Sequence, residues 1–164
     1  MYPRTTDIMK SIQWTFEEYI VPEMTSPYAK SMVLTLGNLM RHATLRVDLE
    51  GKALFDDNLE LRHLLADIRE YLDRQDRPIA EIKTALAMQL IEPGAYPETT
   101  LLIEEAKNLR SALSAAILSL HDLRESQGDN PDYQATRAAV RTYLGNQLAR
   151  EGAMIEPAFT VARR

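Results

Sequence analysis

The chain contains no cysteine. Without thiols it cannot form disulfides, thiolate metal sites, iron–sulfur clusters or a cysteine nucleophile. An excess of positive charge is also missing, because 19 Lys and Arg stand against 24 Asp and Glu, a net charge of −5 at pH 7. Proteins that bind nucleic acid usually present a strongly basic face. The charge balance therefore predicts no nucleic-acid partner.

Long apolar runs are missing as well. The opening residues, MYPRTTDIMKSIQW, hold no apolar core of the length found in signal peptides. No later window approaches the roughly 20 apolar residues of a membrane-spanning helix. These features predict a cytoplasmic protein that makes no contact with membranes.

Familiar catalytic signatures are absent too. No glycine-rich loop precedes a helix in the phosphate-binding pattern, and no G-x-S-x-G motif occurs. A di-iron bundle needs two Glu-x-x-His motifs, and the chain has one, from Glu60 to His63. That motif shares its helix face with other charged residues, which favours a solvated surface. The sequence thus predicts no catalytic residue, no metal site and no cofactor.

What the sequence does contain is helical periodicity. Apolar residues recur at spacings of three and four, and no stretch shows the alternation of a β-strand. We therefore expect an all-α protein, a bundle of about six helices of which two are long. Residues 1–164 are expected to form one domain, with an irregular apolar tail from about residue 152, where Gly152 and Pro157 interrupt the pattern.

Helix-capping and helix-breaking residues predict the helix bounds in the first half of the chain. The first helix is expected over Thr6–Ile20. The second begins at Ser26, a good N-cap, and either ends at Gly51 or continues to Phe55. The third is predicted to begin at Asp57, again as an N-cap. Its buried face is expected to comprise Leu61, Leu64, Leu65, Ile68 and Leu72.

The second half follows the same logic. A short helix is expected after Pro78, a loop over Glu92–Thr100, and a last helix after Pro131 that uses Tyr133, Val140, Leu144 and Leu148. Between them, Thr100–Ser126 should form a long helix, because its apolar residues alternate steps of four and three. These residues are Leu102, Ala106, Leu109, Leu113, Ala116, Leu120 and Leu123.

The second helix carries an unusual row of polar residues, Asn38, His42, Arg46 and Glu50, which we call the polar ridge. Residues four apart adjoin on a helix, and each step turns the row by about 40° toward the apolar positions Val33, Leu36, Met40, Ala43 and Val47. Glu50 therefore falls on the apolar side, where an unpaired carboxylate is costly.

Three interpretations of the polar ridge follow. In the first, Arg46 simply neutralises Glu50. In the second, the ridge lines a pocket for an anionic ligand or a metal, or forms a contact surface, since the planar guanidinium of Arg46 suits anions. In the third, Glu50 acts as a catalytic base beside His42, which requires a perturbed pKa in a cleft.

Trp14 departs from the pattern of the first helix. It lies about 200° around the helix from Ile12, among charged residues and away from the expected core. Either another helix or the apolar tail covers it, or it anchors a partner, as large aromatic residues often do.

One segment resembles a known family. The matching residues are EEYIVPEM (17–24), PYAKSMVLTLGNLMRH (27–42), Arg46, LEG (49–51) and ELRHLL (60–65). They resemble an uncharacterised bacterial all-helical family associated with aminoglycoside-phosphotransferase-like and acyl-CoA-dehydrogenase-like proteins. The resemblance covers about a third of the chain, departs from the expected apolar character at Arg41 and His42, and implies an accessory role beside an enzyme.

Together these observations predict a non-catalytic helical interaction or accessory protein that forms a homo-oligomer and has a possible enzyme partner. The alternative is a helical bundle that binds a small anionic ligand or a metal at the polar ridge.

Overall fold

The computed structural model describes residues 2–88 and 97–159, with side chains up to residue 155. The helices are α1 (Thr5–Thr15), α2 (Pro27–Arg74), α3 (Ala80–Ala87), α4 (Thr99–Asp122), α5 (Arg124–Gln127) and α6 (Pro131–Phe159), and a π-helical turn, Phe16–Ile20, follows α1. No strand occurs in these ranges. The predicted all-α architecture of about six helices is confirmed.

The longest helix corrects the predicted bounds. α2 runs for 48 residues without a break, so the second and third predicted helices are one, and Asp57 is not an N-cap. Asp57 is buried and binds other helices through its carboxylate. Gly51 costs only about 1 kcal/mol inside a helix. Tertiary packing of the α2 residues from Asp57 onward outweighs such a cost.

The contacts divide the chain into two compact units, and each is described by itself. The first comprises Met1–Glu50 and Arg150–Arg164, and the second comprises Gly51–Ala149. The second unit holds the hydrophobic core. Every apolar residue predicted to be buried in residues 61–72 and 102–123 is buried there.

The sixth helix agrees with its prediction only in part. Tyr133 and Val140 are buried, whereas Leu144 and Leu148 are 37% and 69% exposed. Tyr143, which the pattern did not select, is 2% exposed. The buried face of α6 is therefore rotated relative to the predicted face by about the angle between neighbouring residues, so that Tyr143 rather than Leu144 is buried.

The tail, predicted to be irregular from about residue 152, is helical as far as Phe159, where α6 ends. Pro157 removes one backbone hydrogen bond, and within the last turn of a helix that loss does not stop the preceding turns. Most of the predicted loop Glu92–Thr100 lies outside the described residues. No helix of the described chain is long and apolar enough to cross a membrane.

An unbroken α2 predicts the effect of replacing Gly51. A Cβ at Gly51 would lie 3.9 Å from Thr99 Oγ1, an ordinary contact, so Gly51→Ala should raise the free energy of unfolding by about 1 kcal/mol. Gly37→Ala, whose Cβ would meet nothing within 4 Å, is the matched control and should give a similar gain. Urea denaturation measures both, and a loss of stability for Gly51→Ala alone would indicate a helix break at residue 51.

Candidate functional site

The polar ridge lies on the part of α2 that belongs to the first unit. Arg46 donates from Nε to Glu50 Oε1 at 3.1 Å, and a second guanidinium nitrogen binds the same oxygen. The side chains of Arg46 and Glu50 are 49% and 26% exposed. Glu50 is therefore paired and partly solvated, the geometry expected from the first interpretation of the ridge.

The rest of the ridge is also bonded locally. Asn38 accepts a hydrogen bond from the guanidinium of Arg41. The same guanidinium lies 3.9 Å from a carboxylate oxygen of Glu17, which belongs to the π-helical turn after α1. His42 lies on α2 between the Asn38–Arg41 pair and the Arg46–Glu50 pair, and it is half-buried. An anionic ligand would have to displace Glu50 from Arg46, and ligand binding at the ridge stays a prediction.

The Glu-x-x-His motif lies in the second unit. Glu60 Oε1 accepts a hydrogen bond at 2.8 Å from Asn146 Nδ2, and His63 is exposed. Within the described ranges, no three or more His, Asp or Glu side chains are grouped so as to hold a metal ion.

Trp14 stands at the surface of the first unit. Its side chain is 55% exposed, and its ring meets that of Tyr19 edge to face, with centroids 5.1 Å apart. Tyr19 belongs to the π-helical turn, a feature that is frequent at functional sites. The two residues form an aromatic pair that the rest of the described first unit leaves more than half exposed.

A row of apolar residues follows the first unit's part of α2, and all of its members except the half-buried Ala43 are exposed. We call Tyr28, Met32, Leu36, Leu39, Ala43 and Val47 the apolar stripe. Leu36, expected to be buried, is 40% exposed, and Val47 is 53% exposed. Among the described residues of the first unit, only Thr6 is buried. The expectation of a buried second-helix face was therefore wrong for residues 36 and 47, because no described helix of this unit covers them.

The second unit contains a feature that the sequence analysis missed, a buried polar network of Asp57, Asn58, Arg62, Glu105, Arg110 and Tyr143. Asp57 Oδ2 accepts from Arg110 Nη2 at 2.9 Å and from the Tyr143 hydroxyl at 3.3 Å. Burial, followed by the nearby Asp57 carboxylate, raises the pKa of Tyr143 to about 12. One carboxylate thus connects α2, α4 and α6.

Glu105 organises the other half of the network. Its carboxylate accepts from Arg62 Nε at 2.7 Å and from Asn58 Nδ2 at 3.0 Å. Asn58 also donates to the carbonyl of Leu102, and Arg62 donates to the carbonyls of Leu86 and Met88 at the end of α3. Glu105 therefore fixes α4 against α2, while Arg62 satisfies carbonyls that a helix end leaves unpaired.

A sequence signal for this network existed. Asp57 lies four residues before the buried Leu61, and Glu105 lies four residues before the buried Leu109, so both carboxylates share the apolar faces of their helices. Buried charges are almost always paired. The interpretation of Asp57 as an N-cap concealed that signal.

Comparisons with protein-family models, with curated proteins and with solved structures found no match to this chain.

The buried pair of Arg62 and Glu105 predicts a large loss of stability on truncation. Arg62→Ala leaves a carboxylate that is 7% exposed without its cation, which should lower the free energy of unfolding by about 3 kcal/mol. Lys52→Ala breaks an exposed i,i+4 pair with Asp56 and should cost below about 1 kcal/mol. Chemical denaturation of both variants tests the difference. Equal small losses would show that the network contributes little.

The raised pKa of Tyr143 predicts a pH dependence of stability. This pKa is about 12 in the folded protein and about 10 for an ordinary tyrosine. The neutral phenol therefore stabilises the folded state fully below pH 10, and this contribution is lost as pH rises through 12. Tyr143→Phe should flatten the decline in stability between those values, as measured by denaturation at several pH values. Tyr2→Phe, at an exposed tyrosine outside the apolar stripe, is the control that should leave the decline unchanged.

Proposed function

We propose that this chain is a non-catalytic helical interaction protein of the cytoplasm that associates with copies of itself. The observation that carries the proposal is the exposure of large apolar side chains across the first unit. Residues of this kind include Ile8, Ile12, Trp14, Tyr19, Tyr28, Met32, Leu34, Leu36, Leu39, Val47 and Leu49, which are 38% to 76% exposed.

Exposed apolar surface on this scale supports association. Single exposed apolar residues are ordinary, but contiguous apolar patches on soluble proteins mark interaction sites. Burying such side chains against a partner removes them from water, which contributes about 25 cal/mol for each Å² of apolar surface. The aromatic pair of Trp14 and Tyr19 adds the residue types that dominate binding energy at interfaces.

The pairing of the acidic groups supports a non-catalytic role. Asp57 and Glu105, the two carboxylates that are buried among the described residues, each bind an arginine, and Glu50 binds Arg46. A general base must be available to the proton that it abstracts. In these three carboxylates the ion pair occupies acceptor oxygens that a general base needs, and the resemblance to an accessory family predicts the same non-catalytic role.

Sedimentation velocity over a range of micromolar concentrations tests self-association. We expect the weight-average sedimentation coefficient to rise with concentration to that of a dimer or larger assembly. A strictly monomeric protein across the range would contradict the proposal and would leave an enzyme partner as the candidate occupant of the apolar surface.

Trp14 is the only tryptophan, so its fluorescence reports on the first unit alone. Iodide should quench Trp14 readily in the dilute monomer, given its 55% exposure. Tyr19→Ala should increase that quenching, because it removes the neighbouring ring. A strongly shielded Trp14 in a monomeric sample would contradict the surface on which the proposal rests.

A further inference from the structure

The spacing of the apolar stripe is symmetric along α2. From Tyr28 to Val47 its members advance by steps of 4, 4, 3, 4 and 4 residues, a series that reads the same in both directions. Residues three and four apart share one side of a helix, so all six positions fall within a sector roughly 100° wide. A symmetric series can pair with itself when a second helix runs the opposite way.

We propose that the apolar stripe is the self-association interface, and that two copies pair their α2 helices antiparallel about a two-fold axis near residues 37 and 38. This inference rests on the proposed self-association and specifies its surface and geometry. In this register Tyr28 lies opposite Val47, Met32 opposite Ala43, and Leu36 opposite Leu39 of the second copy. A two-fold interface requires such reciprocal contacts.

The sizes of the side chains fit this register. The large members, Tyr28 and Met32, occupy the N-terminal half of the stripe, and the small members, Ala43 and Val47, occupy the other half. Antiparallel pairing therefore places a large side chain against a smaller one at the two outer levels and leucine against leucine at the central level, which fills space without overlap. Parallel pairing would set Tyr28 against its own copy and leave a gap between the two Ala43 side chains.

The area available suits a second copy. Tyr28 is 76% exposed, Met32 52%, Leu36 40%, Leu39 58% and Val47 53%. These side chains present on the order of 500 Å² from each copy, so pairing buries on the order of 1,000 Å² in total, the lower bound of a specific interface. An area of this size is typical of weak and transient interfaces, so the stripe suits a reversible dimer.

The polar ridge borders this interface. Arg46 lies on the same flank of α2 as Tyr28, and the antiparallel register sets Arg46 one residue from the level of Tyr28 in the second copy. Arg46 is half exposed and bound to Glu50 on one edge, which leaves the face of its guanidinium for the aromatic ring. The ridge then serves as the polar rim of the dimer.

A matched pair of charge substitutions tests the surface. Leu39 and Leu34 are leucines of the same helix, 58% and 63% exposed, on opposite sides of it. Leu39→Glu should weaken the dimer at least tenfold in sedimentation equilibrium, and Leu34→Glu should leave the dissociation constant within about twofold, as expected for a charge outside the interface. Circular dichroism verifies that both variants keep their helix content.

Because the chain has no cysteine, introduced thiols report the pairing directly. A mixture of Met32→Cys and Ala43→Cys chains should yield the mixed disulfide on mild oxidation, since facing residues approach within disulfide distance. Met32→Cys alone should stay uncrosslinked, because its two copies lie about 16 Å apart along the axis in this register.

The outcomes separate the two proposals. If the dimer persists in Leu39→Glu and no mixed disulfide forms, the stripe is not the interface, although self-association itself is supported. A dimer that is lost only when Trp14 is substituted leads to the same conclusion. Efficient crosslinking of Met32→Cys alone overturns the antiparallel arrangement. A wild-type chain that is monomeric throughout overturns both.

Discussion

The stability of the fold depends on which part of the apolar side of α2 is buried by other helices. From Leu61 to Leu72 that side is buried against other helices, and the leucines there are at most 7% exposed. From Tyr28 to Val47 apolar residues continue on the helix, yet those with large side chains are mostly half exposed or more. Removing apolar surface from water is the main driving force of both folding and association. The same force that folds the second unit is therefore available on the first for the association that we propose.

The buried polar network gives the second unit a defined register. Hydrophobic contacts are not directional, whereas a carboxylate that binds an arginine and a phenol accepts only one alignment of its helices. Asp57 and Glu105 each impose such an alignment between α2 and α4. An isolated ion pair of this kind adds little net stability against apolar replacements. Its contribution is to fix which residues of the two helices lie side by side.

Much of this fold could be predicted from the sequence. The core positions of residues 61–72 and 102–123 followed from helical spacing, because strongly periodic segments have only one apolar face to bury. The continuity of α2 could not be predicted, since Gly51 and Asp57 are local signals whose cost is small beside packing energy. The helical conformation of residues 152–159 could not be predicted either, because Gly152 and Pro157 are local signals that the stability of the preceding turns of α6 outweighs.

The candidate site was predictable in parts. The pairing of Arg46 with Glu50 was one of three interpretations that their spacing allowed, and the position of Trp14 outside the apolar face of its helix was predicted. What the sequence could not provide was the exposure of the stripe, because a period of 3.6 shows which residues share a face and not whether another helix covers it. Met32 and Leu39 belong to the stripe, and neither had been placed on the apolar face.

Amide hydrogen exchange of the wild-type protein, measured at several concentrations, tests the central claim most directly. If two copies cover the apolar stripe, peptides spanning residues 32–47 should exchange more slowly as concentration rises, while peptides from residues 102–116, buried within one chain, should not change. Exchange over residues 32–47 that is the same at every concentration would contradict the account.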